Sequence, residues 1–247
     1  MKATIEINNK KYNCDLSEPI DISTPLAPGN SVNAFYLPDV QVEPFKTGDF
    51  IGAVENGGPC NVNNVFLSPH GNGTHTESLG HITKEKYSIN KVLNRFFFLA
   101  QLITIQPRKI NEDLIITEDL IKKDLPECLE AILIRTLPND KSKLTRNYSG
   151  TNPPYLHHDA AEFLAKKNIS HLLLDAPSVD REDDGGKLLA HHAFWDYPQK
   201  PRTNATITEL IYVDDSIKDG IYLLNIQIIS LDNDASPSKP VLYKITK

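Results

Sequence analysis

Cysteine is scarce in this chain of 247 residues, which carries only Cys14, Cys60 and Cys128. An odd number, scattered spacing and no Cys-x-x-Cys pair argue against a disulfide framework or a thiolate zinc site, and ordinary reduced thiols are expected. Long apolar runs are missing too. No stretch approaches the ~20 apolar residues that span a bilayer, and Met1-Lys2-Ala3-Thr4-Ile5-Glu6 lacks the apolar core of a secretory signal. A cytoplasmic protein without a membrane partner is expected. Nor is there a block of one charge: 26 basic and 32 acidic residues, net -6, are spread along the sequence, and nothing offers a nucleic-acid surface. Repeats, low-complexity tracts and linkers are absent. One domain over residues 1–247 is therefore expected, and its 40% hydrophobic content allows a substantial core.

What is present reads as an α/β protein. Residues 1–13 alternate apolar and polar around Asn8-Asn9, predicting an N-terminal hairpin. Pro19, Pro25 and Pro28 impose an extended or turning backbone, and residues 30–60 read as long loops with short strands. The apolar run 96–105 predicts a strand covered on both faces. Thr117 is placed to cap a short helix that stops near Pro126. A second buried strand follows at 131–136, then a helix over 154–167 entered through Pro153-Pro154, then a strand at 170–175. Strand, helix and strand form a βαβ unit, which implies a mixed, partly parallel sheet and puts Asp175 at the strand end where ligands usually bind. Runs 205–213 and 221–230 predict two strands paired with each other.

The chemistry concentrates in Ser68-Pro69-His70-Gly71-Asn72-Gly73-Thr74-His75-Thr76-Glu77-Ser78-Leu79-Gly80-His81, which holds three of the eight histidines. In extended backbone His75 and Glu77 point to the same side. One divalent ion would then meet an imidazole and a carboxylate, a donor set suited to zinc, manganese or iron(II). The alternative is a glycine-rich surface loop with solvated histidines. A second group comprises His191, His192 and Glu209. Glu209 interrupts an apolar strand on the side of Ile207 and Ile211, and a buried carboxylate there needs a cation or several donors. His157, His158 and His171 read as structural. Phe35, Tyr36 and Trp195, with Phe194 and Tyr197, offer apolar or stacking walls for a small-molecule substrate, or packing at a subunit contact.

Taken together, these segments resemble the cyclase family, which includes bacterial kynurenine formamidase and isatin hydrolase. Asp15 to Ile20 matches its Asp-Leu-Ser-x-Pro-Ile opening, and Pro28-Gly29 its Pro-Gly. Gly71 to His81 aligns without gaps on His-x-Gly-Thr-His-x-Asp-x-Pro-x-His, and Asp175 to Asp180 matches an Asp-x-Pro-Ser-Val-Asp turn. The resemblance implies a swivelling β/β/α domain, a homodimer or larger homo-oligomer, and metal-dependent hydrolysis of an amide, lactam or lactone. It further implies that His75, Glu77, Glu209 and His191 or His192 are metal ligands and that His81 is the general acid/base. Three signature positions differ: Gly71 stands for the first histidine, Glu77 for the aspartate and Leu79 for the proline. His70, one position away, is the candidate to replace the lost ligand. Two other readings remain. The chain could keep the fold as a binding protein without metal catalysis, or Cys60 could act as a nucleophile, although no histidine is placed by sequence to activate it.

Overall fold

The alternating N-terminal residues form the expected hairpin, β1 (Lys2–Ile7) paired antiparallel with β2 (Lys10–Asp15). The structure is a computed structural model that describes residues 1–7, 9–123, 125–126 and 129–246. Asn8 of the hairpin turn and Cys128 lie outside those residues, while Cys14 and Cys60 are free thiols. Seven strands close into a barrel: β3 (His75–Ser78), β4 (Phe97–Ile105), β5 (Ala131–Thr136), β6 (His171–Leu174), β7 (Thr206–Glu209), β8 (Gly220–Ile228) and β9 (Ala235–Thr246). The circuit runs β9-β8-β4-β5-β6-β7-β3, and β3 returns to β9 through the pair Ala235 and Glu77. Strands β4 to β7 are parallel to their neighbours in that group, whereas β3, β8 and β9 pair antiparallel. Among the described residues, no helix is long and apolar enough to cross a membrane.

The period of two divides each buried strand between two cores. Leu99, Ile103, Ile132, Ile134, Leu172 and Leu174 pack outward under two helices, α1 (His158–Lys166) and α2 (Leu189–Trp195). Their neighbours Phe98, Ala100, Leu102, Ala131, Leu133 and Leu173 fill the barrel with Leu224 and Leu242. An apolar run without alternation is what such double burial requires.

Several expectations change in detail. The helix placed at 154–167 begins only at His158, because Tyr155 and Leu156 first pair with Ile115 and Ile116 as a short parallel bridge. His157 then caps it, accepting from Asp159 N at 3.4 Å. The runs at 205–213 and 221–230 are not partners: β7 pairs with β6 and β3, and β8 with β4 and β9. Asp175 is not at an open crevice. It is buried, bound by Thr136 N and Oγ1 and by Lys143 Nζ at 2.7 Å, so it serves an internal ion pair.

Candidate metal centre

Residues 68–74 deliver the site residues of β3. Gly71 and Asn72 donate their N–H groups to Ser68 O at 3.2 and 3.0 Å, and Asn72 Oδ1 accepts from Ser68 N at 2.7 Å. Gly73 follows at φ +108, a backbone conformation that L side chains rarely adopt. Its carbonyl accepts from His75 Nδ1 at 3.0 Å. A carbonyl only accepts, so the proton sits on Nδ1 and Nε2 presents a lone pair.

On the neighbouring strand the register puts Glu209 opposite His75 and Ile207 opposite Glu77. Ile207 belongs to the core under the helices, so Glu77, His75 and Glu209 face α2. The strand ends there because Leu210 turns at φ +56, its carbonyl held by Thr74 Oγ1 at 2.6 Å. The helix contributes His191. Asp180 accepts from Ala190 N at 2.7 Å, from His191 N at 3.1 Å and from His191 Nδ1 at 2.6 Å. His191 Nε2 is thereby aimed at Glu77 Oε1, 3.1 Å away, with Glu209 Oε1 at 3.9 Å.

The ligand atoms of His75, Glu77 and Glu209 lie within 4.8 Å of one another, as do those of His70, Glu77 and His81. His75 Nε2 is 3.3 Å from Glu209 Oε2 without making a hydrogen bond, and Glu209 Oε1 accepts from Val179 N at 2.8 Å. His75 Nε2, His70 Nε2 and Glu77 Oε2 are buried with no hydrogen-bond partner among the described residues. Such orphans cost roughly 1–3 kcal/mol each. His75 Nε2 and Glu77, in one of those groups, fit a divalent cation together with Glu209, and His70 Nε2 belongs to the adjoining group around Glu77.

The field of the site points the same way. Burial pushes the Glu77 carboxyl up, but His81, His191 and His70 outweigh it and hold it down to about 2. Burial pulls the His191 imidazolium down, yet its bonds to Asp180 and Glu77 outweigh that and raise it to about 10. His75 is raised by Glu209 against the effect of burial, and His81 is raised chiefly by Glu77. Four carboxylates, Glu77, Asp180, Glu209 and Asp234, thus hold positive charge in this pocket.

The cluster opens through a cavity of about 320 Å³ whose lining includes Phe35, His81, Ser178, Arg181 and Glu182. That volume suits a small molecule. A larger cavity of about 620 Å³ lies against the N-terminal hairpin, near Thr4, Asn13 and Lys244, and no histidine lines it. Of the expected wall residues, Phe35 lines the site. Tyr36 is 80% exposed and stands outside the lining. Trp195 does not reach the cavity either: it is fully buried, its indole donates to Ala205 O at 3.0 Å, and it packs behind the His191 ring at 5.5 Å. His192 is likewise removed from the ligand set, because consecutive helical residues diverge and its Nδ1 lies 3.1 Å from Tyr197 O. Cys60 is exposed and away from the cavity.

Two residues of the site had no role in the sequence reading. Asp180 carried a signal, since it ends the Asp-x-Pro-Ser-Val-Asp turn. Asp234 carried none; it sits just ahead of β9 in a polar loop, yet its Oδ2 is 2.9 Å from His70 Nε2 and 3.7 Å from His81 Nδ1.

The chain matches the cyclase family model over residues 14–181. Kynurenine formamidase of Bacillus mycoides (strain KBAB4) is 31% identical over 234 residues, covering 93% of this chain and 99% of that protein. Kynurenine formamidase of Bacillus cytotoxicus is 28% identical over 228 residues, covering 92% and 97%. Among solved structures, isatin hydrolase A from Labrenzia aggregata shares the fold with a TM-score of 0.66 at 16% identity, over 92% of this chain and 93% of that one. A predicted metal-dependent hydrolase from Bacillus stearothermophilus does so with 0.64 at 20% identity, over 92% and 98%. A family match over more than half of the sequence, together with relatives aligned along nearly its whole length, makes this chain a member of the cyclase family.

Proposed function

We propose that this chain is a metal-dependent hydrolase acting on carbon–nitrogen bonds other than peptide bonds, with an arylformamide such as N-formylkynurenine or a cyclic amide related to isatin as its substrate class, and with the carbon–oxygen bond of a lactone as the related ester target. The observation that carries this reading is the convergence of His75 Nε2 and Glu77 Oε2, both buried and unpartnered, with Glu209 and His191. Those four residues would hold the ion, zinc or manganese by their imidazole and carboxylate donors. A bound ion of this kind supplies an acidified water and a polarised substrate carbonyl.

The remaining work falls to the chain's own groups. Asp180 and the Gly73 carbonyl fix the tautomer and direction of His191 and His75. His81, on the one-turn helix Leu79–Ile82 at the cavity, takes the proton from the attacking water and returns it to the departing nitrogen. Phe35 gives the substrate an apolar wall, and Glu182, anchored to Gly150 N and Asn152 N, steadies the rim. The small-molecule substrate enters at that rim. The assembly in this reading is a homodimer or larger homo-oligomer, supported by the exposed apolar residues Val65 (57%) and Phe66 (55%) on the outlying strand Asn63–Phe66.

Metal analysis of the purified protein, with His75→Ala as control, tests the reading alongside hydrolysis of N-formylkynurenine, isatin and simple lactones with each metal. Zinc or manganese above the variant's level, with turnover of one of these substrates, is expected. No metal above that level, and no metal that restores hydrolysis, would leave a binding protein that retains the fold.

A further inference from the structure

We infer that His157, His158 and Asp159, where α1 begins, form a solvent-facing site for a borderline divalent ion such as Zn²⁺ or Ni²⁺, separate from the pocket. None of the three lines the pocket's cavity, and the inference stands whether or not that pocket holds an ion.

One ligand atom from each residue falls within 4.8 Å of the others. Asp159 divides its carboxylate between the imidazoles: Oδ2 lies 3.3 Å from His157 Nδ1, and Oδ1 lies 3.2 Å from His158 Nε2. Donors around a tetrahedral ion at about 2.0–2.1 Å stand about 3.3 Å apart, so both separations match those of ligands on one ion. The helix cap sharpens the point. His157 Nδ1 accepts from Asp159 N at 3.4 Å, so it bears no proton and meets the Asp159 oxygen with a lone pair. Two acceptors at that separation repel unless a cation lies between them. The cap bond is long, and an ion would take over its lone pair while Asp159 N, one of the free donors of a helix's first turn, turns to water.

The fold holds this segment ready. Leu156 N donates to Val179 O and His157 N to Ile116 O, each at 2.9 Å, which fixes the backbone before an ion arrives. The two rings stand 4.3 Å apart between centroids. Their side chains are 39% and 48% exposed and that of Asp159 58%, so an ion enters directly and its remaining corner falls to water. Two imidazoles and one carboxylate favour zinc, nickel or copper over magnesium or calcium, which prefer oxygen donors alone. The positive end of the helix dipole opposes any cation here, and the Asp159 charge offsets it. That opposition, with the exposure, makes the ion easier to remove than one in a buried site.

The full chain is loaded with Zn²⁺, dialysed against a weak chelator to clear exposed ions, and titrated with Ni²⁺. Bound metal is counted by mass spectrometry and amide resonances are followed by NMR. Wild type is expected to take up one Ni²⁺ per chain, with paramagnetic broadening centred on residues 155–162. In His158→Gln and Asp159→Asn that ion and the broadening should be lost, while retained zinc and turnover stay at the wild-type level. Equal Ni²⁺ uptake by wild type and both variants would overturn the inference, as would broadening centred elsewhere or no uptake at all. A chain that retains no zinc yet shows the broadening at residues 155–162 would count against the metal-dependent hydrolase and support this site. The wild-type spectrum decides the matter even if a variant does not fold.

Discussion

Glu77 and His191 are separated by 114 positions in sequence, yet Glu77 Oε1 and His191 Nε2 lie 3.1 Å apart with both side chains buried. The contact exists because α2 packs over the barrel face that β3 and β7 share, and because Asp180 turns the imidazole toward it. Neither side chain could hold this position alone, since a buried charge without a partner is strongly unfavourable.

Asp180→Asn should weaken metal binding by about 10–100-fold, the usual effect of removing the carboxylate behind a ligand histidine. Competition with a calibrated chelator reads this directly. Unchanged metal affinity with a lowered melting temperature would reduce Asp180 to a helix cap.

His81→Ala should lower kcat by about 10²–10⁴-fold, the range for loss of a general acid/base, while metal content stays at the wild-type level. Steady-state kinetics with metal analysis on the same samples separates the proton-transfer role from ligation. Loss of an ion in this variant would make His81 a ligand instead.

Gly73→Ala should destabilise the protein by roughly 1–2 kcal/mol, since its φ of +108 is costly for any residue with a Cβ. A shifted urea midpoint with an unchanged slope is the expected readout. Because Gly73 O holds His75, metal affinity should fall as well.

His171 is buried in β6, its ring 3.9 Å from that of Phe98, and burial, with Arg95 and Arg202 adding to it, lowers its pKa to about 3. An unfolded histidine titrates near about 6.5. Between those values the unfolded chain binds a proton that the folded chain refuses. The residue therefore costs no stability above about pH 6.5 and destabilises the fold progressively as pH falls toward about 3, by several kcal/mol at most. His171→Gln should lose less stability than wild type between about pH 7.5 and about pH 4.5. Urea titrations at the two pH values give the comparison, and equal losses would refute the assignment.

Light scattering should find a dimer or larger assembly, and Val65→Asp combined with Phe66→Asp should shift it to monomer. A monomeric wild type would remove the proposal that these exposed apolar residues are covered by a second copy.

Local pattern made much of this architecture legible before the fold was known. The apolar run of β4, the βαβ order and the common side of His75 and Glu77 all follow from a strand's period of two. Glu209 announced itself by interrupting an apolar strand. The helix is shorter than the pattern at 154–167 predicts because Tyr155 and Leu156 are claimed by a distant strand pairing, and β9 has no local strand signature because Pro237 and Pro240 break its pattern.

The sequence by itself determined that His75 and Glu77 share one side of their strand and which strands would be buried on both faces, because both depend on side-chain chemistry and on backbone geometry between near neighbours. Only the tertiary structure decided that His191 enters the site while His192 turns to Tyr197, that Trp195 packs behind the histidine, and that Asp180 and Asp234 join the cluster. Those outcomes depend on the register of β7 on β3 and on the closure of β9 against β3, pairings between distant segments that no local periodicity encodes.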